Sequence, residues 1–183
     1  MTDTLLTIPT LETARLRLRA PVLSDFEAYA AFRASPRTEI IGGPYDRMTA
    51  WSQLGEIVGH WQLRGYGRWM IADRDSDAPL GITGIFHPEG WPEPELAWSV
   101  FDHAEGRGIA GEAALAARDW AYRTLGWTRL ISAIGPANTR SRALAERLGC
   151  TLENTWEHPR YGAMENWLHP APEARDRQEE SAA

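Results

Sequence analysis

Residues 105–114 read Glu-Gly-Arg-Gly-Ile-Ala-Gly-Glu-Ala-Ala, and the rest of the chain is organised around this stretch. It lies between a strand-like segment at residues 95–101 and a helical pattern that runs to about Leu125. A glycine-rich turn that opens a helix presents backbone N–H groups without intrahelical partners, at the positive end of the helix dipole. The stretch therefore predicts an anion site, most often one for phosphate.

Two other interpretations of these glycines remain open, and both are disfavoured. Gly106, Gly108 and Gly111 match the G-x-G-x-x-G fingerprint of nicotinamide- and flavin-binding folds. Such a fold needs an acidic residue at the end of the next strand to hold a ribose, whereas residues 135–138 there read Gly-Pro-Ala-Asn. A turn that binds nothing is also disfavoured, because three glycines weaken a helix start without an evident packing reason.

The composition indicates one globular domain without a nucleic-acid surface. The chain has 183 residues, of which 43% are hydrophobic and 24% charged, and its net charge is −6. All 19 basic residues are arginine, which excludes mechanisms that need a lysine. The single cysteine, Cys150, excludes an internal disulfide, and the five histidines form no cluster typical of a metal site. No segment resembles a signal peptide or a membrane span, so we expect a cytoplasmic protein.

The hydrophobic periodicities predict a mixed α+β fold. A strand at residues 15–19 precedes two helices, and three strands then lead to the glycine-rich turn and its helix. One strand, a short helix and two final strands complete the order βααβββαβαββ. We expect residues 1–9 to be a lead-in and residues 10–169 to form the domain. Residues 170–183 lack any apolar period and are predicted to be a disordered tail.

Four segments resemble, in order and spacing, the GNAT superfamily of acyl-CoA-dependent N-acetyltransferases. They lie at residues 12–19, 95–100, 106–113 and 138–149, and the resemblance covers about residues 10–169. Within the superfamily, the chain is similar to the branch of ribosomal-protein N-terminal acetyltransferases. The resemblance implies a splayed β-sheet flanked by helices. The strand before the glycine-rich turn would part from the next strand and hold the pantetheine arm of acetyl-CoA in the gap.

The resemblance also implies which residues bind acetyl-CoA as a co-substrate. Backbone groups around Trp98, Val100 and Phe101 would bind the pantetheine arm, together with Asn138, which is alternatively a helix N-cap. The family often has Gln or Arg where this chain has Glu105. Positive charge would then come from Arg107, unless that side chain is simply solvated. The pyrophosphate would lie on the N–H groups of Arg107, Gly108, Ile109, Ala110, Gly111 and Glu112.

Glu95 is the candidate general base, because the family resemblance implies a carboxylate at this position. Trp91 and two nearby prolines favour a partly desolvated carboxyl group with a raised pKa. A solvated strand-end glutamate and an anion that only orients the substrate are the alternatives. Glu93 is the second candidate for the base. With Tyr45 and Trp91, Glu93 is also predicted to contact the substrate.

The donor of a proton to the leaving thiolate is less defined. Many superfamily members use a tyrosine seven residues after the asparagine, and this chain has Ala145 there. The branch suggests Ser141 instead, which would donate a hydrogen bond; the alternative is an ordinary serine in the first turn of a helix. Cys150 is expected to be a core residue and not a nucleophile, since no covalent intermediate is required.

These features predict an acetyl-CoA-dependent N-acetyltransferase that acts on a primary amine by direct attack in a ternary complex. A non-catalytic acyl-CoA-binding module or sensor is the alternative. The acceptor is open between a protein N-terminus, a small amine or aminoglycoside, and an amino acid, although an acidic protein steers cationic acceptors toward itself. No nucleic-acid or membrane partner is expected. The family suggests a homodimer through the last two strands, which carry Trp156 and Trp167.

Overall fold

A computed structural model describes residues 7–172 of the chain. Its helices are α1 (Phe26–Ala34), α2 (Arg47–Arg64), α3 (Ile109–Thr124) and α4 (Thr139–Arg147), and 3-10 turns lie at Leu23–Asp25, Pro36–Ile41 and Asp102–Ala104. The predicted order of elements is confirmed, with one two-residue strand added before it. The strands are β1 (Leu11–Glu12), β2 (Leu16–Arg19), β3 (Arg68–Asp73), β4 (Pro79–Phe86), β5 (Glu95–Val100), β6 (Ile131–Ile134), β7 (Thr151–His158) and β8 (Gly162–Leu168).

All eight strands form one sheet in the order β1-β2-β3-β4-β5-β6-β8-β7. Neighbouring strands are antiparallel except β5 and β6, which are parallel. The pair β5–β6 is joined in register only where Glu95 faces Ile131. Beyond this point the two strands part, which confirms the splayed sheet and opens a gap at the carboxyl end of β5.

Helices cover both faces of the sheet, and the sheet separates two apolar clusters. Alternate residues of each strand point to opposite faces, so Ile71 packs toward α3 and α4 whereas Met70 packs toward α1 and α2. The α3 side includes small residues such as Ala113 and Ala117, which let this helix lie close to the sheet. The gap between β5 and β6 therefore connects the two sides of the sheet.

The ends of the described range pack against the domain. Ile8 packs on the core, and the carbonyl oxygen of Pro9 accepts a hydrogen bond of 2.7 Å from the Trp69 indole. At the other end, Pro170 accepts a hydrogen bond of 3.0 Å from the Tyr122 hydroxyl. Most of the predicted lead-in and tail, residues 1–6 and 173–183, lies outside the described residues. Within residues 7–172, no helix has the length and apolar character needed to cross a bilayer.

The outer strand β7 pairs only with β8, so its other edge is free within the described chain. Trp167 is 5% exposed and belongs to the core of its own chain. Trp156 donates its indole N–H to Asn166 at 2.8 Å and packs edge-on against Trp91. Homodimer pairing through these strands stays a prediction, and the buried Trp167 does not contribute to such a surface.

Candidate functional site

Two cavities meet at the gap between β5 and β6. The outer groove, of about 1030 Å³, runs between the end of β5, the start of α3 and α4. The inner cavity, of about 370 Å³, lies on the other side of the gap, between α1, α2, the sheet and the turn that joins β7 to β8. Seven residues line both: Glu39, Ile40, Ile41, Trp98, Ser99, Asn138 and Ser141.

The glycine-rich turn forms one end of the outer groove. Gly108 is the N-cap of α3 with a φ of +75°, a left-handed conformation that glycine adopts without strain. Ile109, Ala110 and Gly111 form the first turn of the helix and line the groove, so their N–H groups have no intrahelical partner. The N–H of Glu112 is already bonded to the carbonyl oxygen of Gly108 at 3.2 Å. The free amides therefore end at Gly111, and the predicted contact from Glu112 is not available.

Glu112 instead fixes the turn through its side chain. Its carboxylate accepts hydrogen bonds from the Thr13 hydroxyl at 2.5 Å and from Arg15 Nε at 2.7 Å. Arg15 in turn donates to the carbonyl oxygen of Arg107 at 3.0 Å. Burial acts to raise the pKa of Glu112, and these hydrogen bonds outweigh it, so the pKa is lowered. Sequence reasoning used Thr13 and Arg15 only as signs of a family and missed this bracing role.

The charged residues around the outer groove differ from the sequence-based expectation. Arg107 is exposed and does not line the groove, so its predicted contact has no support here. Arg37, Arg140 and Arg147 line it instead. Glu105 is paired with Arg37 at 2.8 Å and with Arg140, so its charge is compensated. The departure from the family pattern at Glu105 therefore does not leave an uncompensated anion in the groove.

The free edge of β5 supplies backbone groups to the gap. The carbonyl oxygen of Leu96 accepts a hydrogen bond from Ser132 on β6 at 2.6 Å, so even-numbered residues of β5 face β6. By alternation, the backbone groups of Trp98 and Val100 face the gap beyond the last strand pairing. The N–H of Phe101 points to β4 and donates to Leu80 at 2.8 Å, and its ring is buried. Phe101 therefore does not offer the predicted backbone contact.

Glu95 lies where β5 and β6 part, and its side chain bridges them. Oε2 accepts a hydrogen bond of 2.7 Å from the N–H of Ala133 on β6, and Oε1 accepts one of 3.0 Å from the Trp91 indole. The residue is 6% exposed and lines the inner cavity. Burial raises the pKa of Glu95 to about 7, because desolvation exceeds the opposing effect of the two hydrogen bonds. Such a carboxyl group can accept a proton near neutral pH.

Ser141 and Asn138 begin α4 at the meeting of the two cavities. Asn138 Oδ1 accepts a hydrogen bond from the N–H of Ser141 at 3.2 Å, which is an N-cap. Ser141 Oγ accepts a hydrogen bond of 3.2 Å from the indole N–H of Trp98 across the gap. With this lone pair used, the Ser141 O–H remains able to donate into the shared space.

Of the three residues predicted to contact the substrate, two line the inner cavity and one lies outside both cavities. Trp91 and Tyr45 line the inner cavity, together with Tyr161 from the turn between β7 and β8. Glu93 lines neither cavity. Its carboxylate forms a two-pronged ion pair with Arg129, at 2.8 and 2.9 Å, which removes it from the site. Neither role proposed for Glu93 from the sequence is supported by this position.

Residues 15–151 match the sequence model of the family described as the acetyltransferase (GNAT) domain. The chain belongs to the GNAT acetyltransferase family. This result confirms the resemblance carried by the four sequence segments. GNAT enzymes transfer an acetyl group, so the chemistry of this chain is acyl transfer in general terms.

Solved GNAT structures share the fold of this GNAT domain. An acetyltransferase from Agrobacterium tumefaciens str. C58 is 39% identical with a TM-score of 0.82, over 92% of this chain and 99% of that chain. A GNAT-family acetyltransferase from Bordetella pertussis is 27% identical with a TM-score of 0.74, over 88% and 99%. RimL, a ribosomal L7/L12 alpha-N-protein acetyltransferase solved in complex with coenzyme A, is 16% identical with a TM-score of 0.73, over 89% and 98%. At that identity, RimL shows likeness of fold alone.

GNAT enzymes use acetyl-CoA, and the outer groove of this GNAT chain has the features that such a ligand needs. Three free amides at the N-terminus of α3 suit a pyrophosphate. The open backbone of Trp98 and Val100 can pair with an extended chain of amides, as an added strand would. Of the three arginines on the groove wall, Arg37 and Arg140 are paired with Glu105, whereas Arg147 forms no ion pair within the described residues and suits a further phosphate.

Cys150 of this GNAT chain is buried in the core as expected and is not placed as a nucleophile. Its Sγ lies 3.2 Å from Nδ1 of His169, whose Nε2 lies 3.0 Å from the Ser132 hydroxyl. Burial raises the pKa of Cys150 to about 12 and lowers that of His169 to about 3. Both groups are therefore neutral, and the thiol is unreactive. Among residues 7–172, no three His, Cys, Asp or Glu side chains are grouped as metal ligands.

Proposed function

We propose that this chain is an acetyl-CoA-dependent N-acetyltransferase that acetylates a primary amine by direct attack in a ternary complex. The observation that carries the proposal is the position of Glu95. Its buried carboxyl group, with a pKa of about 7, lines a cavity that meets the groove fitted for acetyl-CoA. Transfer of an acetyl group between two bound substrates requires a base near the amine and a site that holds the phosphates of acetyl-CoA. The two cavities supply these on opposite sides of the gap.

Acetyl-CoA, when bound, supplies the acetyl group activated as a thioester. The chain holds it by the amides of Ile109, Ala110 and Gly111 and orients it by the open backbone of Trp98 and Val100. No residue of the chain needs to carry the acetyl group, since Cys150 is buried and neutral. In direct attack by the amine, the N–C bond forms and the C–S bond breaks, CoA leaves as the thiolate, and the proton released from nitrogen as the amide forms passes to water.

Glu95 prepares the amine. An alkyl amine is protonated at neutral pH and must lose a proton before it can attack. Glu95 accepts this proton at a carboxylate oxygen, directly or through one water molecule. The hydrogen bonds from Trp91 and Ala133 hold the carboxylate in one orientation without placing another acid next to it.

Ser141 assists the leaving sulfur. The residue lies where both cavities meet, and its oxygen already accepts the indole N–H of Trp98. Its O–H therefore donates toward the shared space and stabilises negative charge that develops on sulfur. Position 145 is alanine and α4 contains no tyrosine, so this helix offers no phenol for the same task.

The absence of that tyrosine favours one second candidate, a module that binds acyl-CoA without turnover. Thermal unfolding with acetyl-CoA, CoA, NAD and ATP tests the binding of acyl-CoA, which both candidate functions require. A ligand at about 100 times its Kd stabilises by about 2.7 kcal/mol, and we expect this shift with acetyl-CoA and CoA alone. Release of free thiol across a panel of amines then separates the two candidates. Stabilisation by NAD alone would contradict both.

A further inference from the structure

The inner cavity is lined by two largely buried arginines that the proposed reaction does not use. Arg33 lies on α1 and is 8% exposed, and Arg68 begins β3 with a side chain that is 15% exposed. Both line the cavity that Glu95 lines. Arginine is rarely buried unless an anion is paired with it. These two guanidinium groups therefore need an anionic partner.

Arg33 has most of its hydrogen-bonding capacity free. Its Nε donates to Gln53 Oε1 at 2.7 Å, and the guanidinium group lies 4.2 Å over the ring of Tyr45. Within residues 7–172, its two terminal nitrogens donate to no acceptor. Stacking on an aromatic face occupies the flat side of a guanidinium and leaves its edge donors open in the plane.

Arg68, at the start of β3, shows a similar arrangement in the same cavity. Its guanidinium lies 4.2 Å over the ring of Phe86. Its one ion pair joins Nη2 to Glu56 at 4.0 Å, the outer limit for such a contact, and the Glu56 side chain is 45% exposed. In the described part of the chain, the Arg68 side chain forms no hydrogen bond. Burial lowers the pKa of Arg68, as expected for a cation without a close partner.

The buried charges of the cavity do not balance. The groups away from solvent that can carry charge near neutral pH are the guanidinium groups of Arg33 and Arg68 and the carboxyl group of Glu95, which is half protonated near pH 7. The other charged residues of the lining, Glu39, Glu56 and Arg160, are exposed to solvent. A ligand with one anionic group would compensate the excess positive charge that lies away from water.

The dimensions of the cavity suit a small molecule. Its volume of about 370 Å³ lies at the lower end of the range for small-molecule sites. Tyr161 closes one side, because its ring lies so near Gly42 that a Cβ there would come within 2.9 Å of it. Tyr45 and Trp91 complete this aromatic wall.

We propose that the acceptor is a small amine that carries a compact anion, a carboxylate or a phosphate, on the same molecule. Arg33 and Arg68 bind the anion in the plane of their guanidinium groups, and Glu95 receives the amine. This inference rests on the proposed function and specifies its substrate class. Free amino acids are the simplest members of that class, whereas a peptide N-terminus has an amide where the free amino acid has its carboxylate.

Matched acceptors test the anion directly. Each of the common amino acids is compared with its carboxamide and its decarboxylated amine, and aminoalkyl phosphates form a separate arm, all by thiol release from acetyl-CoA. We expect kcat/KM for the favoured anionic acceptor to exceed that for its neutral analogue by about 10²-fold or more, because buried donors stay unpaired with the analogue. The arm with the higher kcat/KM identifies the anion as carboxylate or phosphate.

A charge-removing variant locates the anion site. Arg68→Met keeps an unbranched apolar stem and removes the guanidinium group, and we expect it to raise KM for the anionic acceptor about 100-fold while KM for the neutral analogue and for acetyl-CoA stays the same. Arg68→Lys keeps the charge without the planar fork and should fall between. Arg47→Met is the matched control, because Arg47 also stacks on an aromatic ring, 4.6 Å over Phe26, outside both cavities.

Binding of a product separates failure of this inference from failure of the proposed function. The anion site would be overturned if neutral amines or amidated peptides had the same kcat/KM as the anionic acceptors, and if Arg68→Met did not change these values. The proposed acetyltransferase activity would not be affected by that result. If no acceptor is acetylated, thermal unfolding with CoA and N-acetyl amino acids decides. Further stabilisation by the N-acetyl amino acid, beyond that given by CoA, in the wild type but not in Arg68→Met would support the anion site alone. Equal further stabilisation of both proteins would overturn the anion site, and no stabilisation of the wild type by CoA or by the N-acetyl amino acid would overturn both proposals.

Discussion

The outer groove and the inner cavity meet at the same gap in the sheet, yet they are built differently. The anion cradle of the groove comes from consecutive backbone groups at residues 109–111. The polar lining of the cavity comes from side chains on separate elements, with Arg33 on α1, Arg68 on β3 and Glu95 on β5. A backbone site survives most side-chain substitutions, whereas a side-chain site changes with each one. The two regions should therefore respond to mutation in different ways.

The largest effect is expected at the cavity, for the variant Glu95→Gln. Loss of a general base lowers kcat/KM for the amine by about 10²- to 10⁴-fold. The Kd for CoA should not change, because Glu95 does not line the groove. Thiol release and thermal shift measure the two quantities. Glu93→Gln is the control, since that carboxylate pairs with Arg129 outside both cavities. Equal losses in both variants would contradict the assignment of Glu95.

The pH profile of the wild type sharpens the same point. Only the deprotonated form of Glu95 can accept a proton, and its pKa is about 7. We expect kcat/KM to rise with pH below this value and to level off above it. The residual activity of Glu95→Gln should lack this inflection. A wild-type profile that is flat through neutral pH would exclude Glu95 as the base.

Burial of Glu95 also predicts a pH-dependent stability. Its pKa rises from 4.5 to about 7 on folding, so the native state holds more protons than the unfolded state between these values. The contribution of Glu95 to the free energy of unfolding is greatest below pH 4.5 and is lost as the pH rises through about 7. Relative to Glu95→Gln, the wild type should lose up to about 3 kcal/mol of unfolding free energy over that window. Urea titrations across the window would measure it, and a constant difference would contradict it.

A smaller effect is expected in the groove, for Gly111→Ala. A Cβ at this position would lie 3.6 Å from Leu144 Cδ1, an ordinary contact, so the fold should tolerate it. Alanine stabilises a helix by about 0.5–1 kcal/mol relative to glycine. The methyl group occupies space in the groove, so we expect a higher Tm together with a KM for acetyl-CoA raised about tenfold. A raised Tm with unchanged KM would place the cofactor elsewhere.

The smallest effect is expected where the two regions meet. Trp98→Phe keeps an aromatic ring and removes the N–H that binds Ser141. The loss of one hydrogen bond is worth about 0.5–1.5 kcal/mol, so kcat should fall about 2- to 10-fold. The same substitution should have no effect in a Ser141→Ala background if the indole acts through the hydroxyl. Additive losses in the double variant would show that Trp98 acts independently.

The contrast between groove and cavity also explains what could be predicted from the sequence. The glycine-rich turn is a local motif, so its position before α3 and its free amides followed from residues 105–114 alone. The motif did not tell which amides are already bonded, and Glu112 and Phe101 were assigned contacts that their N–H groups cannot make. Local spacing sets where a turn lies, whereas hydrogen-bond partners depend on the neighbouring elements.

The cavity was less predictable because its partners are distant in sequence. The sequence favoured Glu95 and kept Glu93 as the second candidate, because the partner that removes Glu93 from the site, Arg129, lies 36 residues later. Tyr29 and Arg33 lie one helical turn apart and share the inward face of α1, which is a signal that an arginine is buried. Nothing in the local sequence indicates that this helix faces Arg68. The catalytic roles of Glu95 and Ser141 stay predictions until the variants are measured.

The hydrogen bond from Ala133 to Glu95 has a consequence for how this protein can vary. One carboxylate completes the backbone bonding of β6 where β5 turns away, and the same carboxylate is the candidate acid–base group. Its position is therefore tied to the width of the opening between the strands. A substitution that widened or narrowed the opening would displace the carboxylate oxygen atoms by the same movement. The architecture of the sheet and the proposed proton transfer therefore depend on a single side chain at this point.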